Sequence, residues 1–226
     1  MIGYQTTREI NAARAKYRGQ IIPKPALTIM DAETSRLAAS GLAARALKVG
    51  DTAPDFILPD VHGEPVRLRA LLDKGPVVLV FYRGGWCPYG NLHLRGFQRR
   101  LQAFRELGAT VVAISPQLPD NSLSTKEKDE LAFSVLSDVG NKVARQFGIV
   151  FELSDELVEL YRKLGHALED FNGADGSREL PVPATFLLAG EGTIRLAHVD
   201  VDYTRCIDPD DVIEALKTFK TLKATV

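Results

Sequence analysis

The chain has 226 residues, 45% of them hydrophobic and 25% charged, a composition able to bury a core without disulfide or metal staples; disordered, collagenous and disulfide-rich classes are excluded. Lys and Arg number 28 against 29 Asp and Glu, a formal net charge of -1, so no global field gathers nucleic acid or an anionic membrane, and neither is expected as a partner. At roughly 150 residues per domain, the length fits one large domain or one domain with an appendage.

Residues 1 to 47 read as a helical arm. Ile10, Ala13 and Tyr17 recur at helical spacing, Pro23 and Pro25 interrupt, and Leu27, Met30, Thr34 and Leu37 resume the pattern until Gly41. The arm fits either a flap on the main domain or a contact between two copies. Its first residues lack the basic stretch and apolar run of a secretory signal, which makes the cytoplasm the expected location.

Residues 48 to 226 form the expected main domain. Val61-His62-Gly63-Glu64 separates two short apolar stretches as a hairpin does. Val77 to Tyr82, the longest apolar run, is far short of the roughly 20 residues that span a bilayer and reads as a strand buried on both faces. A helix follows over 88 to 107, with Leu94, Phe97, Leu101, Phe104 and Leu107 on one face and Gly108 at its end. Thr110 to Ser115 is a second buried strand, and the right-handed crossover puts the helix start at the carboxyl end of the first strand, where open α/β sheets place their chemistry.

Downstream, the spacing predicts a short helix near 124 to 131, a strand near 134 to 137, a helix carrying Val139, Val143 and Phe147, and another carrying Leu153, Leu157, Leu160 and Leu164. His166 to Leu180 reads as a loop. Ala184 to Ala189 and Thr193 to Val199 form an expected antiparallel hairpin, and Pro209 opens a last helix through Val212, Leu216 and Phe219. The charged stretches Lys126 to Glu130 and Asp208 to Asp211 read as solvated.

Cys87 follows a buried strand and opens a helix, where unpaired amides and the helix dipole favour an anion, so the reading is a reactive thiolate. Arg83 and Arg95 add nearby positive charge. Cys206 is the remaining cysteine; the two form neither a disulfide framework nor a zinc spacing. The hairpin's second strand returns Val199 to Cys206 toward the Cys87 end, so Asp202, Tyr203, Arg205 or Cys206 can approach the site, and Cys206 is either a resolving cysteine or a packing thiol. His62, His93, His166 and His198 share no ligand spacing, and no metal or organic cofactor is expected. Pro183 stands at the mouth of a strand, where a cis bond would be a purposeful feature.

Taken together, the strand, Trp86-Cys87-Pro88 at a helix start, a second strand and Val182-Pro183-Ala184-Thr185-Phe186 resemble the thioredoxin fold. More narrowly, Gly50-Asp51-Thr52-Ala53-Pro54-Asp55-Phe56, Phe81 to Tyr89 and Leu180 to Thr185 resemble the alkyl hydroperoxide reductase and thiol-specific antioxidant family, the peroxiredoxins. The resemblance implies an α/β, thioredoxin-like three-layer sandwich with a mixed central sheet and an N-terminal helical extension. It further implies a thiol-dependent peroxidase acting on hydrogen peroxide or an alkyl hydroperoxide, a thioredoxin or glutathione reductant, and a homodimer. Carried over, Cys87, Trp86, Arg83 and Pro183 are the catalytic set, Tyr82, Gly84, Gly85, Pro88, Val182 and Arg205 surround the substrate, and Arg83 or Arg205 assists the departing oxygen.

Two positions depart from the pattern. Gly90 stands where a C-P-Y-C branch has its second cysteine, and Gly84 and Val80 stand where the ordinary loop has its hydroxyl and proline. Two other readings therefore share these residues: monothiol disulfide exchange of glutaredoxin or thioredoxin type, and a non-catalytic redox-sensing protein of the same fold.

Overall fold

The computed structural model describes residues 4–173 and 178–224. Helix α1 (Gln5–Lys16) runs into one π-helical turn (Tyr17–Ile21). The chain then straightens at Ile22, φ -83 and ψ 124, because a residue before proline is pushed out of the helical region. Helix α2 (Lys24–Ala39) restarts with a proline in its first turn, and Gly41, φ +71, closes it before α3 (Leu42–Arg45). A ribbon of β1 (Ile57–Pro59) and β2 (Pro65–Arg67) leads through α4 (Leu68–Leu72) into β3 (Val77–Phe81). Then come α5 (Pro88–Glu106), β4 (Thr110–Ser115), α6 (Pro119–Lys128), β5 (Ser134–Ser137), α7 (Lys142–Gln146) and β6 (Val150–Glu152). The chain closes with α8 (Asp155–Lys163), α9 (Leu168–Asn172), β7 (Glu179–Pro181), β8 (Ala184–Leu188), β9 (Ile194–Val199) and α10 (Pro209–Ala224).

The central sheet has the order β5-β4-β3-β8-β9. β4 is parallel to both β3 and β5, whereas β8 runs antiparallel to β3 and β9 to β8. Alternation along the strands divides the core. Val77, Leu79 and Phe81 face one side with Phe147, Leu68 and Phe186, while Val78, Val80 and Tyr82 face the other with Leu94, Phe97 and Phe104 of α5 and Val212 and Leu216 of α10. All five residues of β3 are completely buried, each contributing about 1.5–3 kcal/mol. This is a thioredoxin-like three-layer arrangement with a mixed sheet and an N-terminal helical extension.

The arm lies on its own domain. A Cβ at Gly96 of α5 would fall 2.3 Å from Thr6 Oγ1, so only glycine lets α1 approach this closely. The Thr7 amide and hydroxyl both donate to Asp208 Oδ2, at 2.9 and 2.8 Å, and Ile10 is buried beside Cys87.

Several sequence expectations are corrected. The short helix begins at Pro119, not near 124: proline suits a first turn, and the helix has no apolar stripe to reveal it, burying only Ser122 and Thr125. The expected loop over 166–180 contains α9 and β7, the latter paired with β6; its residues 174–177 lie outside the described residues. Val139 precedes α7 and is exposed. Asp129 and Asp208 are buried inside stretches read as solvated, one on Arg95 and the other on Thr7.

Candidate active site

Cys87 terminates the segment leaving β3 and is the N-cap of α5, with Pro88 at the first helical position. Its amide donates to Gly84 O at 3.0 Å, closing a tight turn over Gly84 and Gly85. Both glycines are required there. Gly84 has φ +139 and a Cβ would lie 2.6 Å from Trp86 Nε1, whereas a Cβ on Gly85 would lie 2.2 Å from Thr125 Oγ1. The Trp86 indole thus fills the space in which a side-chain hydroxyl at position 84 would stand. The Gly85 amide donates to Gln117 Oε1 at 2.8 Å.

Cys87 is 2% exposed. Arg83 Nη2 donates to its sulfur at 3.1 Å, and Nη1 donates to the Tyr161 hydroxyl at 2.8 Å. The guanidinium carbon lies 3.8 Å from the Tyr203 ring centroid and 5.0 Å from that of Trp86, an aromatic cage that fixes the cation over the sulfur. Burial works against the Arg83 charge, but the Cys87 sulfur, then Tyr161 and Tyr203, outweigh it and hold the guanidinium above its ordinary range. Arg95, the other expected cation, turns away to Asp129 at 3.1 Å.

Cys206 belongs to the same cluster as Cys87, Tyr89 and Tyr203, and both cysteines are free. Burial, reinforced by the charge of Cys87, pushes the Cys206 thiol up to about 12. Arg205 does not join them: its side chain is 63% exposed and pairs with Asp202. Pro183 and Val182 line a narrow cleft with Arg83 and Tyr203, and the Val182–Pro183 bond is trans, as no described peptide bond is cis; trans is the ordinary state of an X-Pro bond. Tyr82 packs on the opposite face of the sheet beneath Gly90 and lines neither of the cavities around Trp86. His93 is occupied by the Ile207 carbonyl at 2.9 Å, and burial pushes it down to about 4.

Two cavities flank Trp86. One, of about 250 Å³, lies between the arm and the site and is lined by Tyr17, Ile22, Met30, Tyr89, Tyr203 and Arg83 among others. The second also has Trp86 in its wall, with Asn91, Gln117, Thr125 and Asp129 among its other residues. Sequence reasoning missed Tyr161, Gln117 and the arm's share of the first cavity. Tyr161 was legible in principle, since it continues the Leu157 face of α8 by one helical turn.

Residues 49–197 match the model of the AhpC/TSA family. The chain is 36% identical over 116 residues to a putative peroxiredoxin of Mycobacterium tuberculosis, spanning 51% of this chain and 75% of that protein. It is 33% identical over 138 residues to peroxiredoxin Bcp of Escherichia coli, spanning 55% and 87%. Among solved structures, peroxidoxin BcpB of Mycobacterium tuberculosis superposes with a TM-score of 0.60 at 26% identity, covering 76% of this chain and 97% of that one.

Proposed function

Since the chain belongs to the AhpC/TSA family and is an oxidoreductase of the thiol peroxidase kind, we propose that Cys87 is the sulfur that attacks the peroxide. The observation that carries this reading is the Arg83 Nη2 to Cys87 Sγ contact of 3.1 Å in a site where both groups are buried. The thiolate displaces the distal oxygen: an S–O bond forms, the O–O bond breaks, and the alkoxide or hydroxide leaves with a solvent proton, giving a sulfenic acid at 87. Arg83, already on the sulfur, stabilises the charge as it moves to the departing oxygen. Trp86 and Pro88 shape the approach, and Gly84 and Gly85 hold the turn.

An organic hydroperoxide is the substrate favoured by the cavity between the arm and Arg83. Its wall is aromatic and aliphatic, and about 250 Å³ is far more than hydrogen peroxide fills. Resolution falls to an external thiol, glutathione or thioredoxin, because Cys206, held as a neutral thiol by burial, is a poor nucleophile. A homodimer in the cytoplasm completes the reading on the strength of the family; sedimentation separates it from a monomer of 24.8 kDa, and fractionation of the source cells tests the location.

The test of the chemistry is intact mass and peptide mapping after one equivalent of peroxide, on the natural chain and on Cys87→Ser. The expected result is prompt sulfenic acid at Cys87 in the former alone, with turnover once a thiol is supplied. Oxidation of Cys87 no faster than a free thiol overturns the peroxidase. Prompt reduction of a glutathione mixed disulfide in that case supports disulfide exchange instead.

A further inference from the structure

Arg83 is unusual among the arginines of this chain. Arg67 pairs with Asp55 and Arg145 with Glu179, both at the surface, but Arg83 is 5% exposed and no described carboxylate pairs with it. Its Nε has no hydrogen-bond partner among the described residues, and its flanks are covered by the rings of Tyr203, Trp86 and Tyr161. A buried cation requires a compensating charge. The sulfur of Cys87, 3.1 Å from Nη2, is the described group placed to supply it, as the thiolate that the peroxidase reading requires.

Oxidation removes that compensation. The protonated sulfenic acid, and the sulfur of a mixed disulfide, carry no charge at 87, whereas guanidinium does not deprotonate. The uncompensated cation then borders the cavity of about 250 Å³ whose remaining wall includes Tyr17, Ile22, Met30 and Tyr89. We propose that this cavity is a latent anion site, which takes a monovalent organic anion with an apolar body once the sulfur at 87 is neutral. The single cation selects one negative charge, and the aromatic wall selects an apolar body.

During turnover the occupant is the thiolate of a small thiol reductant, and this part rests on the peroxidase reading. The incoming sulfur attacks the sulfur of Cys87, an S–S bond forms, the S–O bond of the sulfenic acid breaks, and hydroxide leaves and takes a solvent proton. The guanidinium exchanges one sulfur anion for another, so the site prefers ionised thiols only after the peroxide step has occurred.

The test uses the chain's single tryptophan, Trp86, whose ring centroid lies 5.0 Å from the Arg83 guanidinium carbon. Sodium phenylacetate and its neutral counterpart phenylacetamide are titrated at constant ionic strength into reduced natural protein, Cys87→Ser and Cys87→Ala, following Trp86 fluorescence. Both variants should bind phenylacetate about tenfold or more tightly than the reduced natural protein does, and about tenfold or more tightly than they bind phenylacetamide, as expected for a buried charge-assisted contact. Adding Arg83→Gln to Cys87→Ser should abolish the preference for the acid; should that double variant not fold, the other comparisons still decide.

Equal binding of acid and amide, equal binding by natural protein and variants, or no saturable change in any of them overturns the proposal. Peroxide turnover by the natural protein, measured on the same preparation, keeps the two readings apart. Anion selectivity without turnover preserves the site and removes the peroxidase, while turnover without selectivity removes only the latent site.

Discussion

Replacing Gly90 by cysteine converts Cys87-Pro88-Tyr89-Gly90 into a dithiol, and the structure fixes how well the helix should accept it. A Cβ at 90 would lie 3.6 and 3.7 Å from side-chain carbons of Tyr82 and 3.8 Å from Gly84 O, ordinary contact distances. Glycine is disfavoured in a helix by about 1 kcal/mol against alanine, and cysteine regains a few tenths of that. The reduced Gly90→Cys protein should therefore melt within about 2 °C of the parent, given roughly 2–4 °C per kcal/mol for a chain of this size. Oxidation by peroxide should close a disulfide between Cys87 and the introduced thiol, whose four-residue loop adds about 2 kcal/mol in the chain-entropy account. Differential scanning fluorimetry under reducing and oxidising conditions reads both numbers, and thiol counting with peptide mapping identifies the bridge. A drop of more than about 5 °C in the reduced state, at the slope just used, or a bridge from Cys87 to Cys206 in place of the introduced thiol, would refute the reasoning about this turn.

Arg83→Gln keeps hydrogen-bonding capacity but removes the positive charge beside Cys87. Stopped-flow Trp86 fluorescence should show peroxide oxidation slowed about 10- to 100-fold, the worth of a buried hydrogen bond to a charged group; a rate within about threefold would contradict the assigned role. Gly96→Val drives a side chain into Thr6, whose Oγ1 lies 2.3 Å from where the new Cβ would stand, and should lift α1 and release Ile10, losing about 2 kcal/mol of apolar burial. Limited proteolysis around residues 17–23 should accelerate in that variant while the sheet stays protected. His93 titrates near 6.5 when unfolded but is pushed down to about 4 by burial in the fold. The neutral form favours the native state, so stability is full above pH 6.5 and falls by about 3 kcal/mol as the pH drops toward 4; urea unfolding of the natural chain and His93→Gln across that range should show the loss in the former only.

The central βαβ unit was legible in the sequence because its strands are continuous apolar runs and its helix has a long apolar face ended by Gly108. The placement of Cys87 was legible for the same reason, since a proline after the strand marks where the helix begins. Short or polar elements were not: α6 presents no apolar stripe, and β6 and β7 are three residues each, held by pairing across the fold. The partners of Arg83 were hidden for a related reason. Tyr161 lies on a distant helix, and nothing local distinguishes an arginine that meets a sulfur from one that meets a carboxylate. The isomer of Pro183 stayed open for the same reason, because the sequence shows only that proline is there.

The fastening of the arm imposes an order on how the fold closes. The amides of Tyr4 and Thr7 donate to Asp210 and Asp208, 206 and 201 positions further along the chain. α1 packs on α5 through Thr6 and Gly96 but is fastened only when these distant partners are in place, whereas β3, α5 and β4 are contiguous and assemble earlier. Folding therefore passes through a period in which the Cys87 thiol is in place but not yet walled in by the arm, open to any oxidant or electrophile nearby.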